Sequence, residues 1–265
     1  MLALKEECPM TEIYESALHL FNEQMDTSYT VTNPELILIT KKTGVEIKNA
    51  VIDWLHASNH HAESPSDFNY MRAEALIGMD GDRVSGQNAV LYWTDIRGWE
   101  DPQTVFLHEL GHVFALTQEY GGKLFYDAID MENTALFSGY LIWKEFIADY
   151  IARICKGWYP IRLSSYRPTA ADKKRFLKAD QHNHDFLAGY LAQAGCAEEI
   201  HEYPERLDAA VEGLPFSRCI RVIAPQLRKE RFWEIDDELM EDLGDAFLMD
   251  KTFLMLDLEY EKMRK

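Results

Sequence analysis

Apolar residues recur at helical spacing over 11–25, TEIYESALHLFNEQM, where Ile13, Ala17, Leu20 and Phe21 share one side. The next run, TVTNPELILIT, is rich in β-branched residues and predicts a strand closed by the turn KKTG. Helical periodicity returns over 45–57 through Val45, Ile47, Val51, Trp54 and Leu55, and NHHAESPSD then has the composition of a surface loop. ALIGMDGDRVSGQNAVLYWTDI, 75–96, predicts two short strands around a turn rich in Gly and Asp, with AVLYW as the second. That turn lacks the acid spacing of a calcium-binding EF-hand loop, so it is a hairpin turn. Beyond residue 101 the pattern is almost wholly helical, with helices expected at about 102–118, 134–156, 170–194, 205–212 and 224–243. The predicted class is α+β, with a small mixed sheet and helices in the N-terminal half and a helical C-terminal half. One domain of two sub-lobes, about 1–122 and 123–265 with a cleft between them, fits a chain of 265 residues.

The helix at 102–118 separates two kinds of surface. Asp101-Pro102 is a strong helix opening, because Asp accepts hydrogen bonds from free amides and Pro is preformed for the first helical position. At about 100° per residue, with His108 at zero, His112 falls at about 40° and Glu109 at about 100°. Phe106, Leu107, Leu110, Val113 and Phe114 occupy the opposite arc, between about 140° and 260°. The sequence there is His-Glu-x-x-His, HELGH. Two imidazoles one turn apart converge on a tetrahedral ion, while the adjacent carboxylate reaches a water without ligating the metal. With nine His in the chain, chance alone places this motif in about a few per cent of chains of such composition. The plainer alternative is three polar residues on an exposed helix edge.

A catalytic zinc site takes a third protein ligand, and SGYLIWKEFIADYIARI, 138–154, supplies a candidate. With Glu145 at zero, Asp149 lies at about 40°, whereas Trp143, Ile147, Tyr150, Ile151 and Ile154 lie at about 140° to 240°. Glu145 would complete a His, His, Glu set, and Asp149 would accept the second N–H of a ligating imidazole. Tyr140, about 220° from Glu145, belongs with the core. Without the first motif, this pair is an ordinary set of i,i+4 acids at a helix edge.

Charge and composition narrow the setting. The chain has 27 Lys and Arg against 45 Asp and Glu, a formal charge of -18, which repels phosphate backbones and anionic membranes. Neither nucleic acid nor membrane is expected as a partner. Cys8, Cys155, Cys196 and Cys219 form no Cys-x-x-Cys pair, so free thiols in a reducing, cytoplasmic setting are expected. The amino terminus is acidic where a secretion signal needs bases, and no run approaches the roughly 20 apolar residues of a membrane span.

HELGH followed by Glu145-x-x-Ala148-Asp149 resembles the gluzincin zinc metallopeptidases, thermolysin-like members in particular. The compact size and the HELGH wording are also similar to the ImmA/IrrE-type peptidases. The resemblance implies a zincin-like fold with one zinc ion bound by His108, His112 and Glu145. It implies Glu109 as general base, Asp149 behind a ligand, and a peptide or protein substrate. NAVLYW, 88–93, resembles the edge strand upstream of the active helix in thermolysin-like enzymes, which implies that Asn88 and Ala89 bind substrate backbone as an added strand.

Three functions follow from these residues: a zinc-dependent peptidase, a zincin-shaped binding or regulatory module that cleaves nothing, and a helical protein without metal. The intact Glu109 favours the first over the second, since a structural zinc has no use for a base and normally takes four protein ligands. His182, His184, His201, Tyr126 and Tyr140 are the available donors for a transition state, and none is singled out by spacing. Substrate identity and oligomeric state have no signature in the sequence.

Overall fold

The computed structural model describes residues 4–25, 34–39, 73–80, 83–93, 101–117, 133–157, 161–165, 169–177 and 185–263. The helix expected at 45–57, the loop at 59–67 and the KKTG turn lie outside the described residues. Two compact units divide the chain: Met1–Lys123 with Ile154–Lys156, and Leu124–Arg153 with Gly157–Lys265. The class is α+β, with a small mixed sheet and mostly helical structure.

The first unit contains α1 (Leu4–Gln24), β1 (Glu35–Ile39), β2 (Ala73–Asp80), β3 (Arg83–Trp93) and α2 (Pro102–Thr117). β2 and β3 form the expected antiparallel hairpin, closing where Asp80 pairs with Arg83 and shifting register between Ile77 and Met79. β1 joins the other side of β3 in parallel, from Glu35 opposite Ala89 to Ile39 opposite Trp93. The sheet order is therefore β1-β3-β2. This corrects one expectation: β3 is the central strand of the three and not an edge. AVLYW is apolar at every position, and Ala89, Val90 and Tyr92 are buried.

α2 packs on α1, β2 and β3. Its predicted apolar face is the buried one, with Phe106, Leu107, Leu110, Val113 and Phe114 inaccessible to solvent. Phe106 meets the Tyr14 ring edge-on at 5.2 Å and the Tyr92 ring at a tilt at 4.7 Å, and Phe114 meets Phe21 edge-on at 5.8 Å. Such edge-on aromatic contacts add specificity to burial. The Tyr14 hydroxyl donates to the Pro34 carbonyl at 2.6 Å, linking α1 to the start of β1.

In the second unit, α3 (Thr134–Cys155) is followed by α4 (Ala170–Leu177), α5 (Asp185–Gly195), α6 (Glu198–His201), α7 (Leu207–Val211), α8 (Ser217–Leu227) and α9 (Asp237–Met263). Of the helix expected at 170–194, 170–177 and 185–194 are helical, within α4 and α5, and 178–184 lie outside the described residues. The helix expected at 224–243 is displaced. It covers the end of α8, which contains Pro225, a connection and the start of α9. α9 opens at Asp236, whose Oδ1 accepts from the Leu239 amide at 2.8 Å. The buried amide of Gln226 donates to the carbonyls of Phe232 and Glu234, fixing the connection between the two helices.

Two contacts fasten this bundle. Gly139 of α3 and Gly244 of α9 lie where the helices cross backbone to backbone. A Cβ on Gly139 would overlap the Met240 carbonyl oxygen, and one on Gly244 the Ala135 carbonyl oxygen. The buried Asp250 of α9 accepts from the Arg218 and Cys219 amides at 2.9 and 3.3 Å and from the Arg218 guanidinium at 2.7 Å. It thereby satisfies amides in the first turn of α8, which have no partner within the helix. Around this junction Phe216 packs against Phe176 at 5.3 Å and Phe247 at 6.0 Å.

Candidate metal centre

The amino end of α2 is fixed from three sides. Asp101 accepts from the Gln103 amide at 3.4 Å and the Thr104 hydroxyl at 3.3 Å, and its carbonyl takes the Thr104 amide at 2.9 Å. Lys156 donates to Asp101 at 2.7 Å and to the Gln103 side chain at 2.8 Å. The Gln103 amide in turn donates to the Ser16 hydroxyl of α1 at 3.2 Å. Lys156 holds the Asp101 carboxyl below the usual carboxylate range, chiefly by that hydrogen bond. The rotation of α2 is thus set at its first turn and by its five inaccessible apolar residues.

Two turns further on, the helix presents its polar strip. His108 is half-buried, while Glu109 and His112 are only 7% and 5% exposed. A carboxylate and an imidazole this deep need partners, since burying an unpaired charge costs several kcal/mol or more. Nε2 of His108 and Nε2 of His112 face each other at 2.9 Å, with the rings nearly perpendicular. On α3, Glu145 is half-buried and its Oε1 lies 3.7 Å from the Lys144 ammonium. The ligand atoms of His108, His112 and Glu145 all lie within 4.8 Å of one another.

The donor set fits a divalent ion. Two nitrogens each about 2.0–2.1 Å from a tetrahedral centre are roughly 3.4 Å apart, so the observed imidazole spacing needs only a small opening. Two neutral imidazoles and one carboxylate leave a dication with one net positive charge and an open position. A metal ion can be held by these three residues.

The remaining sequence-derived residues fall elsewhere. Ala89 is fully buried, paired with Glu35 on one side and Leu76 on the other, so its backbone has no free edge for an added strand. Asn88 is also buried, opposite Ile77. Asp149 is half-buried on α3, with its Oδ2 facing Gly189 of α5, where a Cβ would come within 3.2 Å. Of the five donors considered for a transition state, Tyr126, His182 and His184 lie outside the described residues. Tyr140 is in the core. His201 Nε2 is 2.7 Å from the Gly195 carbonyl, an interaction that closes the end of α5.

Two features had no local signal. A cavity of about 390 Å³ in the second unit is lined by Arg162, Glu198, Glu199, Tyr203 and Arg206 among others, and shares no residue with the metal-binding group. Cys155, Cys196 and Cys219 are free. Burial pushes the Cys155 thiol up to about 12 and that of Cys196 to about 11, and raises that of Cys219 well above its usual range. These are packed thiols and not nucleophiles. Among the described residues, no helix is long and apolar enough to cross a membrane. No family pattern, no curated protein and no solved structure matches the chain.

Proposed function

We propose that the chain is a zinc-dependent peptidase of the gluzincin type with a zincin-like fold. The observation that carries this reading is the grouping of His108, His112 and Glu145 within 4.8 Å, with a buried Glu109 beside the first ligand. When bound, zinc supplies Lewis acidity, lowering the pKa of a water toward about 7 and polarising a carbonyl. The imidazoles of His108 and His112 and the Glu145 carboxylate hold the ion. The Glu109 carboxylate takes a proton from the attacking water and then gives it to the leaving amine nitrogen.

Two imidazoles and a carboxylate also suit ferrous iron. Glu109 favours hydrolysis, because an oxygen-activating iron has no requirement for a carboxylate base next to its first histidine. It also argues against a non-catalytic binding module, which gains nothing from a buried acid at that position. Digestion of a peptide library, with and without a chelator and with Glu109→Gln in parallel, tests the proposal. Chelator-sensitive cleavage that Glu109→Gln abolishes supports it. Cleavage by Glu109→Gln at the parental rate contradicts the assignment of the base.

A further inference from the structure

α9 buries one side and exposes another. Met240, Leu243, Phe247, Leu254 and Leu258 form its packed side. On the other side Met249, Phe253, Leu256, Tyr260 and Met263 are 55%, 55%, 56%, 53% and 77% exposed. These five follow one another at spacings of four, three, four and three residues, the repeat of a coiled-coil seam. At about 100° per residue they fall within an arc of roughly 80° and span about 21 Å along the helix. Their exposed area is of the order of several hundred Å², the size that marks interaction surfaces on soluble domains. The arrangement is independent of the metal-binding residues.

The same arc continues toward the amino end of α9 with different chemistry. Glu238, Asp242 and Asp245 extend the seam at spacings of four and three, and all three are exposed. One face of a single helix therefore carries three acids followed by five apolar residues. On one flank, Arg218 lies 4.5 Å over the Phe253 ring but is already paired with Asp250, so it leaves the acidic character of the face in place.

We propose that this face of α9 docks an amphipathic helix of a partner protein. The partner carries apolar residues at three- and four-residue spacing over about two heptads, with Lys or Arg at the seam positions opposite Glu238, Asp242 and Asp245. Charge complementarity selects this occupant. A second copy docked in parallel would set the three acids against their own counterparts, and a chain charge of -18 opposes self-association in either direction. An anionic lipid surface would meet the same three acids. A basic amphipathic helix meets both halves favourably, with apolar anchors giving affinity and charge fixing direction.

The test uses the full chain and a fluorescent synthetic helix with Leu at the seam positions of one half and Lys at those of the other. Controls are a scrambled peptide of equal composition and a version with Glu in place of Lys. The account predicts saturable binding, with both controls weaker by about tenfold or more. Leu256→Asp and Asp242→Lys, both at exposed positions, are expected to weaken binding by about tenfold each with unchanged thermal melting. Equal binding of the scrambled peptide, or parental affinity in both variants, overturns the proposal. So does a concentration-dependent dimer that Leu256→Asp disperses, or tighter binding to phosphatidylserine vesicles than to the peptide.

Discussion

Nε2 of His108 lies 2.9 Å from Nε2 of His112, within hydrogen-bonding distance. Two protonated imidazoles at that distance would repel, and each must be neutral to ligate a metal. Acid therefore competes with the metal for the imidazole nitrogens. Dialysis at stepped pH should show metal retained near neutrality and lost as pH falls through the imidazole range near about 6.5. Retention unchanged down to about pH 4.5 would mean that histidines do not hold the ion.

The roles of Glu109 and Glu145 separate by different readouts. Glu109→Gln is expected to keep the metal while lowering kcat by about a hundredfold or more. Glu145→Ala should lower metal affinity, with activity returning in part when zinc is added in excess. Equal metal content in Glu145→Ala and the parent, measured at limiting zinc, would remove Glu145 from the ligand set.

The backbone-to-backbone crossing of α3 and α9 gives a stability prediction that does not involve the metal. Gly139→Ala and Gly244→Ala each force a methyl group into a carbonyl oxygen of the facing helix. Neither carbonyl can retreat without separating the helices, so each substitution should cost at least about 2 kcal/mol. Denaturant unfolding checks this. A loss within about 0.5 kcal/mol for either variant would show that the helices do not cross so closely.

At the start of α2, Asp101 combines a helix cap with an ion pair to Lys156. Its folded pKa is held below the ordinary value, so its stabilising effect is present above the unfolded carboxylate pKa. That effect is lost as pH falls through the lower folded pKa. With the carboxylate 53% exposed, the ionic contribution is no more than about 1 kcal/mol. Asp101→Asn keeps a capping side chain and should melt below the parent at neutral pH. The two melting temperatures should converge as pH falls through the folded pKa of Asp101. A constant gap across that titration would place the effect in the cap and not in the charge.

What the sequence made legible was local. HELGH lies on a helix whose apolar face is written in Phe106, Leu107, Leu110, Val113 and Phe114, so periodicity alone oriented its polar strip correctly. Glu145 was legible for the same reason, because the greasy side of α3 leaves few positions for an acid. The placement of β3 was not legible. Whether a strand is central depends on what pairs with it, and the parallel partner Glu35–Ile39 lies far upstream. The uninterrupted apolar run AVLYW was the available signal, and it pointed away from an edge. The helix expected at 224–243 was displaced because α8 already starts at Ser217, after Phe216 in the left-handed region at φ 53°, and contains Pro225. The exposed seam of α9 went unread because its apolar residues lie beyond residue 243, where no helix was expected.

The most direct measurement is the metal content of the chain purified without chelators, beside His112→Ala and Glu145→Ala prepared identically. The account predicts about one equivalent of zinc in the parent, with marked loss in both variants. Less than about half an equivalent in the parent after exposure to excess zinc, or the same content in all three proteins, would contradict it.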